Sequence, residues 1–381
     1  MAEDLIFNNL PVLKLLKLIY KYIGSTITAI FGLLLIVAAY SYLISPNVIH
    51  KTVYLSLIFP FILWSNIAIL IFWIIQKNKI AFITIIAIAS SWGSIYRYFP
   101  ININNTEYTG GDTVKVMSFN TCCFAKMTPH KGEKINPIIE FIKSSDADVV
   151  CLQEYAVGRA LNSLQENDLD SAFAKIYPYR KVFLNDNHYY ESGLACLSKY
   201  PITNAEPIIA PVNTNGSIMY SIDIKGRAIR FVVNHLESNR LSSDDRGLFN
   251  YVTSHITESD TLMDNVKRQL IWKIAAAAKR RALQADKIAE TVKDFDRDII
   301  ICGDFNDTQQ SYVYNKIRGD LKDAYVETCF GPDITYHADK FFFRIDHILY
   351  GKGLKCLNTY IDKSIKDSDH YPIISTFEII P

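Results

Sequence analysis

The chain of 381 residues is 49% hydrophobic, and its 40 basic and 39 acidic side chains leave a formal charge of +1 at pH 7. This balance argues against a protein that depends on long-range attraction to nucleic acid, which normally needs a strongly basic face. The seven cysteines form no CxxC pair and no His/Cys spacing typical of zinc sites, which argues against a structural zinc domain.

Three apolar stretches without a charged residue precede residue 97, at about residues 24–44, 54–76 and 80–96. About 20 apolar residues are enough to cross a bilayer as a helix, so we predict three transmembrane helices. A cleaved signal peptide is the alternative for the first stretch, but it lacks a small-x-small exit and two further stretches follow. For the shorter third stretch, the alternative is a re-entrant or buried helix.

Residues 1–96 are therefore predicted to be a membrane anchor, 97–113 a polar tether and 114–381 a soluble domain. Lysines cluster before the first stretch and between the second and third: Lys14, Lys17, Lys21, Lys77 and Lys79. Positive loops stay on the cytoplasmic side, so the N-terminus is expected inside. An odd number of spans then predicts an integral protein of the cytoplasmic (inner) membrane whose soluble domain is extracytoplasmic.

Apolar, strand-like runs in the soluble domain repeatedly end in a polar side chain. These side chains are Asn120, Glu154, His235, Asp304, Asn306, Asp346, Asp369 and His370. Strand ends meet at the edge of a sheet, so the pattern predicts an active site assembled at one edge of stacked sheets.

The stretch 299–307 carries the densest signal, because Asp304 and Asn306 follow a buried β-branched run that stops at Gly303. A carboxylate and a carboxamide at this position suit a divalent metal with bound water and phosphate oxygens. An Asx turn is the alternative. Glu154 also follows an apolar run and is costly to bury unless a cation meets it. His235, taken alone, is equally consistent with a structural histidine.

Other segments carry weaker signals. Asn136 before Pro137 predicts the N-cap of a helix at 136–145. The polar stretch 241–265 is a candidate lid or substrate loop. Residues 265–292 predict a long helix whose basic side chains face either solvent or anionic lipid headgroups. The sequence leaves open the state of the vicinal pair Cys122-Cys123.

Seven motifs, in order, resemble the endonuclease/exonuclease/phosphatase superfamily over about residues 114–381. They are Ser118-Phe119-Asn120, Gln153-Glu154, Gly193–Ser198, Asn234-His235-Leu236, Gly303–Asp307, Arg344-Ile345-Asp346 and Ser368–Pro372. The resemblance implies a four-layer α-β-β-α sandwich of two mixed sheets, here preceded by three transmembrane helices. It also implies a magnesium-dependent phosphoesterase.

By the same resemblance, Glu154 is expected to be the principal metal ligand, supported by Asn120 and Asp369. The carboxylates gathered around one site would repel one another without a cation. All of these ligands offer oxygen, which favours Mg²⁺, with Mn²⁺ as a substitute, over zinc.

The resemblance also assigns the reacting groups. Asp304 and Asn306 are expected to orient and deprotonate the attacking water. His370 would contact the scissile phosphate, with Asp346 holding its ring. His235 would lie on the phosphate or leaving-group side. These roles match the needs of phosphate ester cleavage, which are charge neutralisation, an aligned nucleophile and a protonated leaving oxygen.

The sequence therefore predicts a membrane-anchored, Mg²⁺-dependent phosphodiesterase or phosphatase. A phospholipid headgroup or a small phosphoester is the favoured substrate, because the tether presents the site to a membrane surface. A nuclease acting on DNA or RNA is the first alternative, and a non-catalytic scaffold or binding protein is the second. No protein partner can be inferred. A transporter is disfavoured because the spans contain no charged residue.

Overall fold

The structure is a computed structural model that describes residues 11–103, 107–130, 132, 134–160, 162–187, 189–212, 214–239, 261–338 and 342–380. Most of the stretch predicted as a lid, residues 241–260, lies outside the described residues. Its remainder, 261–265, belongs to a helix that begins at Thr261.

Four helices form the N-terminal part of the described chain. They are α1 (Pro11–Tyr40), α2 (Thr52–Ile75), α3 (Ala81–Ser90) and α4 (Trp92–Tyr98). Two segments in the described residues, Lys14–Leu43 and Thr52–Ile75, are long and apolar enough to cross a membrane. The third predicted span is divided at Ser91 into the short helices α3 and α4. The prediction of three transmembrane helices is therefore not confirmed.

Polar side chains tie these helices to one another. Trp73 of α2 donates its indole N–H to Thr28 Oγ1 of α1 at 2.8 Å, and Ser94 of α4 donates to the carbonyl of Ala39 at 2.6 Å. A buried amide, Asn66 Nδ2, donates to the carbonyl of Phe31 at 3.0 Å. Satisfied polar groups of this kind fix how apolar helices are oriented against each other.

The rest of the described chain contains two sheets. The first is built from β1 (Thr113–Asn120), β2 (Val149–Gly158), β3 (Tyr179–Asn187), β4 (Tyr190–Ser198), β11 (Leu354–Ile361) and β12 (Ile373–Ile379). The second is built from β5 (Ile202–Val212), β6 (Asn215–Ile224), β7 (Arg227–His235), β8 (Ile299–Asp304), β9 (Lys322–Asp323) and β10 (Asp346–Tyr350). The connecting helices are α5 (Pro137–Ser144), α6 (Glu166–Phe173), α7 (Thr261–Val292), α8 (Tyr312–Arg318) and α9 (Ala324–Thr328).

Both sheets are mixed. Their strand orders are β11-β12-β1-β2-β4-β3 and β5-β6-β7-β8-β10-β9. One pair in each sheet is parallel, β1 with β2 and β7 with β8, and the other pairs are antiparallel. The predicted α/β fold with two mixed sheets is confirmed.

The alternation of apolar residues along the strands builds separate packing layers. Val116, Cys151 and Ile300 belong to the buried cluster that joins residues of both sheets. The opposite face of the first sheet packs on α5 and α6, as Ile142 and Phe173 show. The opposite face of the second sheet packs on α7 and α8 through residues such as Ile288 and Val313. This packing leaves the strand ends to form the edges of the sheets.

The segment predicted as a tether lies against the sheet domain in its described part. Asn102 Nδ2 donates to the carbonyls of Val326 and Cys329, both at 2.8 Å, and Gly331 N donates to the carbonyl of Pro100 at 2.8 Å. The polar composition that suggested a flexible linker thus supplies hydrogen bonds to the domain.

Direct hydrogen bonds also join the N-terminal helices to the sheet domain. Tyr54 Oη of α2 donates to the carbonyl of Ile271 at 2.7 Å, and Gln310 Nε2 donates to the carbonyl of Ser94 at 3.0 Å. Because Gln310 is buried, its bond to α4 is costly to lose. The helices are therefore fixed relative to the second sheet.

Candidate active site

The eight predicted site residues come from six places in the fold. Asn120 ends β1, Glu154 lies within β2, His235 ends β7 and Asp304 ends β8; Asn306 follows β8, Asp346 begins β10, and Asp369 and His370 precede β12. In the second sheet, Asp304 is paired in register with both His235 and Asp346. Parallel and antiparallel neighbours therefore bring these side chains to one edge.

Glu154 reaches the site through a β-bulge. Gln153 pairs with Leu194 and Tyr155 pairs with Gly193, so Glu154 is an extra residue that faces no partner on β4. Its φ of 51° is left-handed, which is costly for a residue with a side chain and is characteristic of functional sites. The bulge turns a carboxylate out of an otherwise apolar strand.

Asp304 is positioned by the backbone around it. A Cβ atom at Gly303 would collide with the carbonyl of Asn234, so the close approach of β8 to β7 requires glycine at this position. Asn306, with φ of 51°, donates its backbone N–H to Asp304 Oδ1 at 2.7 Å. This bond forms the Asx turn that was the alternative to a metal site at Asp304 and Asn306. The turn and the clustering of site residues are both present.

Four side chains converge on the other carboxylate oxygen, Asp304 Oδ2. Asn120 Nδ2 and Asn306 Nδ2 donate to it at 3.2 Å each. The Nε2 atoms of His235 and His370 each lie 3.6 Å from it. Burial raises the pKa of Asp304 above its usual range, while the positive charge of His370 acts in the opposite direction.

His370 and Asp346 form a buried ion pair with Nδ1 2.8 Å from Oδ2. Burial alone would lower the pKa of His370, but the charges of Asp346 and Asp304 raise it to about 10. The ring therefore carries its proton at neutral pH, with Nδ1–H bonded to Asp346 and Nε2–H directed toward Asp304.

His235 has a different environment. Its Nδ1 lies 2.8 Å from the carbonyl of Thr214, which can only accept, so Nδ1 is the donor. The other ring nitrogen, Nε2, lies 3.8 Å from Glu154 Oε1 as well as 3.6 Å from Asp304. This nitrogen therefore faces both carboxylates.

The predicted metal ligands surround an excess of negative charge. Among the described residues, no lysine or arginine lies within salt-bridge distance of Glu154, Asp304 or Asp369. Burial and, after it, the nearby carboxylates of Asp369 and Glu154 together raise the pKa of the Cys122 thiol to about 12. A divalent cation bound through oxygen donors fits this uncompensated charge.

Asn120 does not offer its oxygen in this arrangement. Its Nδ2 faces Glu154 Oε1 at 3.5 Å and Asp304 at 3.2 Å, while Oδ1 accepts the backbone N–H of Cys122 at 3.1 Å. Asn120 thus holds the two carboxylates together, and it would become a metal ligand only after its amide rotates. A separate group, Asp304, Asp346 and His370, has ligand atoms within 4.8 Å of one another.

These groups face an active-site cavity of about 500 Å³. Glu154, His235, Asp304, Asn306, Asp369 and His370 all line it. Asn120 and Asp346 lie behind this surface and contact the lining carboxylate and imidazole. The structure thus brings together all eight residues singled out in the sequence.

The sequence did not reveal the opposite wall of the cavity. Four residues of α2 form it: Tyr54, Leu57, Ile58 and Phe61. In the sequence, these residues are indistinguishable from a lipid-facing surface, because hydropathy does not report what a helix face contacts. Only the aromatic hydroxyl of Tyr54 at the start of the span hinted at a polar partner.

Two buried charge networks beneath the site were also missed. Arg281 of α7 bonds Asp307 through Nε at 3.3 Å, and both side chains are buried. Arg344 bonds Asp323 at 3.0 Å and approaches His347 Nδ1 at 3.1 Å. Arg344 belongs to the Arg344-Ile345-Asp346 motif noted in the sequence. Its acidic partner, Asp323, lies 21 residues away in the chain and could not be identified from the motif.

Comparison with known families gives two matches. A family described as "Endonuclease/Exonuclease/phosphatase family" matches residues 117–370, and a domain of unknown function (DUF8431) matches residues 17–98. No curated protein is significantly similar to the chain.

Solved structures similar to this chain include an endonuclease/exonuclease/phosphatase from Beutenbergia cavernae DSM 12333, at 14% identity and a TM-score of 0.47, covering 70% of this chain and 72% of that one. Another is a humanized D. rerio TDP2, at 15% identity and a TM-score of 0.45, covering 70% and 99%. A third is sphingomyelinase C from Streptomyces griseocarneus, at 17% identity and a TM-score of 0.42, covering 70% and 99%.

Proposed function

The chain belongs to the endonuclease/exonuclease/phosphatase family, and from this premise we propose that it is a membrane-anchored, divalent-metal-dependent phosphoesterase. Members of this family are hydrolases that act on phosphate esters. The observation that carries the proposal is the convergence of two amides and two imidazoles on Asp304 Oδ2. A non-catalytic scaffold has no need of such a cluster.

In this proposal Glu154 and Asp369 would hold Mg²⁺ through carboxylate oxygens, and Asn120 would join them if its amide rotated. When bound, the cation would supply positive charge that neutralises the phosphate oxygens and favours ionisation of the attacking water. The oxygen-only donor set supports Mg²⁺, with Mn²⁺ as a substitute.

The reaction proceeds by addition of water to phosphorus. Asp304, oriented by Asn306, accepts a proton from the water as the new P–O bond forms and the bond to the leaving oxygen breaks. His370, held protonated by Asp346, donates Nε2–H to a phosphate oxygen. His235, in its protonated form, supplies the proton that the leaving oxygen takes.

The two apolar helices support anchoring in the cytoplasmic membrane. The lysines in the first part of α1 and those between α2 and α3 favour a cytoplasmic position for these ends, so that the start of α2 and the active site would lie outside. This is the proposed topology.

A phospholipid headgroup or small phosphoester remains the favoured substrate over nucleic acid. One wall of the active-site cavity is apolar, and the whole chain carries a net charge of only +1. A nuclease groove, in contrast, normally follows the phosphate backbone with basic side chains.

The test is hydrolysis of bis-p-nitrophenyl phosphate by the full-length protein in detergent, with Mg²⁺ or with EDTA, compared with Asp304→Asn. We expect Mg²⁺-dependent hydrolysis that falls by several orders of magnitude, roughly 10³-fold or more, in the variant. The variant should bind Mg²⁺ and unfold thermally much like the wild type. Equal rates in both proteins, or rates indifferent to EDTA, would overturn the proposal.

A further inference from the structure

A groove along α2 begins at the active site. A second cavity of about 680 Å³, here called the helix cavity, shares Leu57, Phe61, Thr308 and Phe343 with the active-site cavity. It continues beyond Phe61 to Trp64 on the same helix. The two cavities therefore adjoin, and together their linings extend from the carboxylates to the middle of an apolar helix.

Of the residues that α2 contributes to the groove, Ser56 and Pro60 line only the helix cavity, and the others recur at helical spacing on one face: Tyr54, Leu57, Ile58, Phe61 and Trp64. Between Tyr54 and Trp64 the helix rises about 15 Å. This is about half of the roughly 30 Å hydrocarbon core of a bilayer, so the groove has the length of one leaflet. It starts near the end of α2 that carries the active site.

The groove is open to the outside of the protein. Phe61 and Trp64 are 72% and 50% exposed, and Phe342, which lines the helix cavity from outside α2, is 58% exposed. Large apolar side chains are poorly placed in water but are well matched to hydrocarbon. Since α2 is one of the two helices able to cross a membrane, hydrocarbon is the medium expected beside this face.

We propose that this groove binds the hydrocarbon chains of the substrate, and that the substrate is a membrane lipid carrying a phosphate ester. The inference rests on the proposed function and adds the substrate class to it. The phosphate would lie among Glu154, Asp304 and His370, while the chains lie against Leu57, Phe61 and Trp64. A lipid could then be hydrolysed without leaving its leaflet completely.

The arrangement gives α2 a second role besides anchoring. The hydrogen bond from Tyr54 to Ile271 of α7 fixes the N-terminal end of α2. Leu57 and Phe61 of the same helix line both cavities. The helix is therefore a positioning element, which sets the distance between the apolar chains and the reacting phosphorus.

The test uses the full-length protein in nanodiscs of a phosphate-free galactolipid. Binding of ethyl-, hexyl- and decylphosphonate is measured, and in parallel the hydrolysis of ethyl, hexyl and decyl p-nitrophenyl phosphate. Phe61→Gln disrupts the groove. Ile71→Gln is the matched control, because Ile71 is an exposed apolar residue of the same helix, 52% exposed, that lines neither cavity. Binding to empty nanodiscs is subtracted.

Burial of one methylene is worth up to about fourfold in affinity. We expect the wild type and Ile71→Gln to bind decylphosphonate at least about tenfold more tightly than ethylphosphonate, and kcat/KM to follow the same order. In Phe61→Gln this preference should shrink to about threefold or less.

The outcomes separate this inference from the function beneath it. Hydrolysis of all esters without a chain-length preference, or equal preference in all three proteins, would overturn the lipid groove and leave the phosphoesterase standing. Chain-dependent phosphonate binding without hydrolysis would support the groove and overturn the proposed function. An oligonucleotide hydrolysed faster than the decyl ester would also overturn the lipid assignment.

Discussion

The carboxylate of Asp304 is the residue on which the site converges, and each of its neighbours has a separable role. Asn120 and Asn306 donate neutral hydrogen bonds, His370 brings a positive charge, and His235 directs its Nε2 atom toward the carboxylate. Substitutions at different residues should therefore change different properties, such as the Mg²⁺ dependence or the pH dependence of the rate.

Glu154→Gln should weaken metal binding and leave the rest of the site in place. Outer-shell partners of metal ligands already change affinity about 10- to 100-fold, so we expect the Mg²⁺ concentration for half-maximal activity to rise at least tenfold. High Mg²⁺ should restore part of the activity. The measurement is rate against Mg²⁺ concentration, with Glu206→Gln, an exposed glutamate of β5, as control. A rate that no concentration of Mg²⁺ improves would contradict the role of ligand.

Asp346→Asn should change the pH dependence. The Asp346 charge helps to raise the pKa of His370 to about 10, so the ring stays protonated until alkaline pH. Removing that charge lowers the pKa of His370, and the proton is lost at lower pH. The alkaline limb of kcat/KM should move toward neutrality by about one pH unit or more. Asp320→Asn, at an exposed acidic position, is the control, and an unmoved limb would assign that limb to another group.

Secondary-structure elements position these residues through their ends. The N-cap predicted at Asn136 is present: its side chain accepts from the N–H groups of Ile138 and Ile139. Its Nδ2 also donates to the carbonyls of Phe124 and Thr128, at 2.9 and 2.7 Å. These carbonyls belong to or adjoin the segment 122–127, whose φ values are all positive. One buried amide therefore supports both α5 and the irregular turn beside Glu154.

Asn136→Ala should destabilise the protein by about 2–4 kcal/mol, since it removes a cap and leaves the Thr128 carbonyl without a donor, whereas the Phe124 carbonyl keeps the N–H of Thr128. Asn136→Asp retains the acceptor for the cap but not the donors, and should lie between the wild type and alanine. The thermal midpoint of the full-length protein in detergent is the readout. Asn167→Ala, an exposed asparagine of α6, should have little effect. Equal midpoints for Asn136→Ala and Asn167→Ala would refute the structural role.

At this scale the sequence predicts strands well because β-branched runs and polar ends are local signals. His235 and Asp304 end such runs as predicted, whereas Glu154, also predicted at a strand end, lies within β2; the structure brings all three together. The bulge at Glu154 could not be predicted, because it depends on the register with β4. The break at Ser91 was also missed, since hydropathy is continuous across it.

The whole molecule joins an apolar helical part to an α/β domain through specific hydrogen bonds. Composition separates these parts, and the family resemblance leads to the catalytic residues. Their contact was not predictable, because the amide of Gln310 that bonds Ser94 lies 216 residues away in the chain and has no local signature. The active-site wall formed by α2 is a consequence of that contact.

The proposed topology predicts which surfaces are accessible in intact cells. Tyr189→Cys, at a position 83% exposed in the sheet domain, should react with a membrane-impermeant maleimide without lysis once the outer envelope is permeable. Lys77→Cys, between α2 and α3, should react only after lysis. Mass spectrometry of the labelled protein, with the wild type as the background for its own cysteines, provides the measurement. Labelling in the reverse order would place the domain in the cytoplasm.

The bulge in β2 also inverts the parity of the strand. Before it, odd-numbered residues face the other sheet and even-numbered ones face the helices; after it, odd-numbered residues face the helices. Among the residues of β2, Val149 and Cys151 belong to the cluster between the sheets, whereas Val150, Leu152, Tyr155 and Val157 belong to the cluster on the helix side. Deleting Glu154 would remove the extra residue and leave Tyr155 and Val157 on the helix face with their present partners on β4, whereas straightening the strand with Glu154 retained would send both to the wrong face. The apolar pattern of β2 is therefore complete without residue 154, which is an insertion that serves the site and not the packing of the strand.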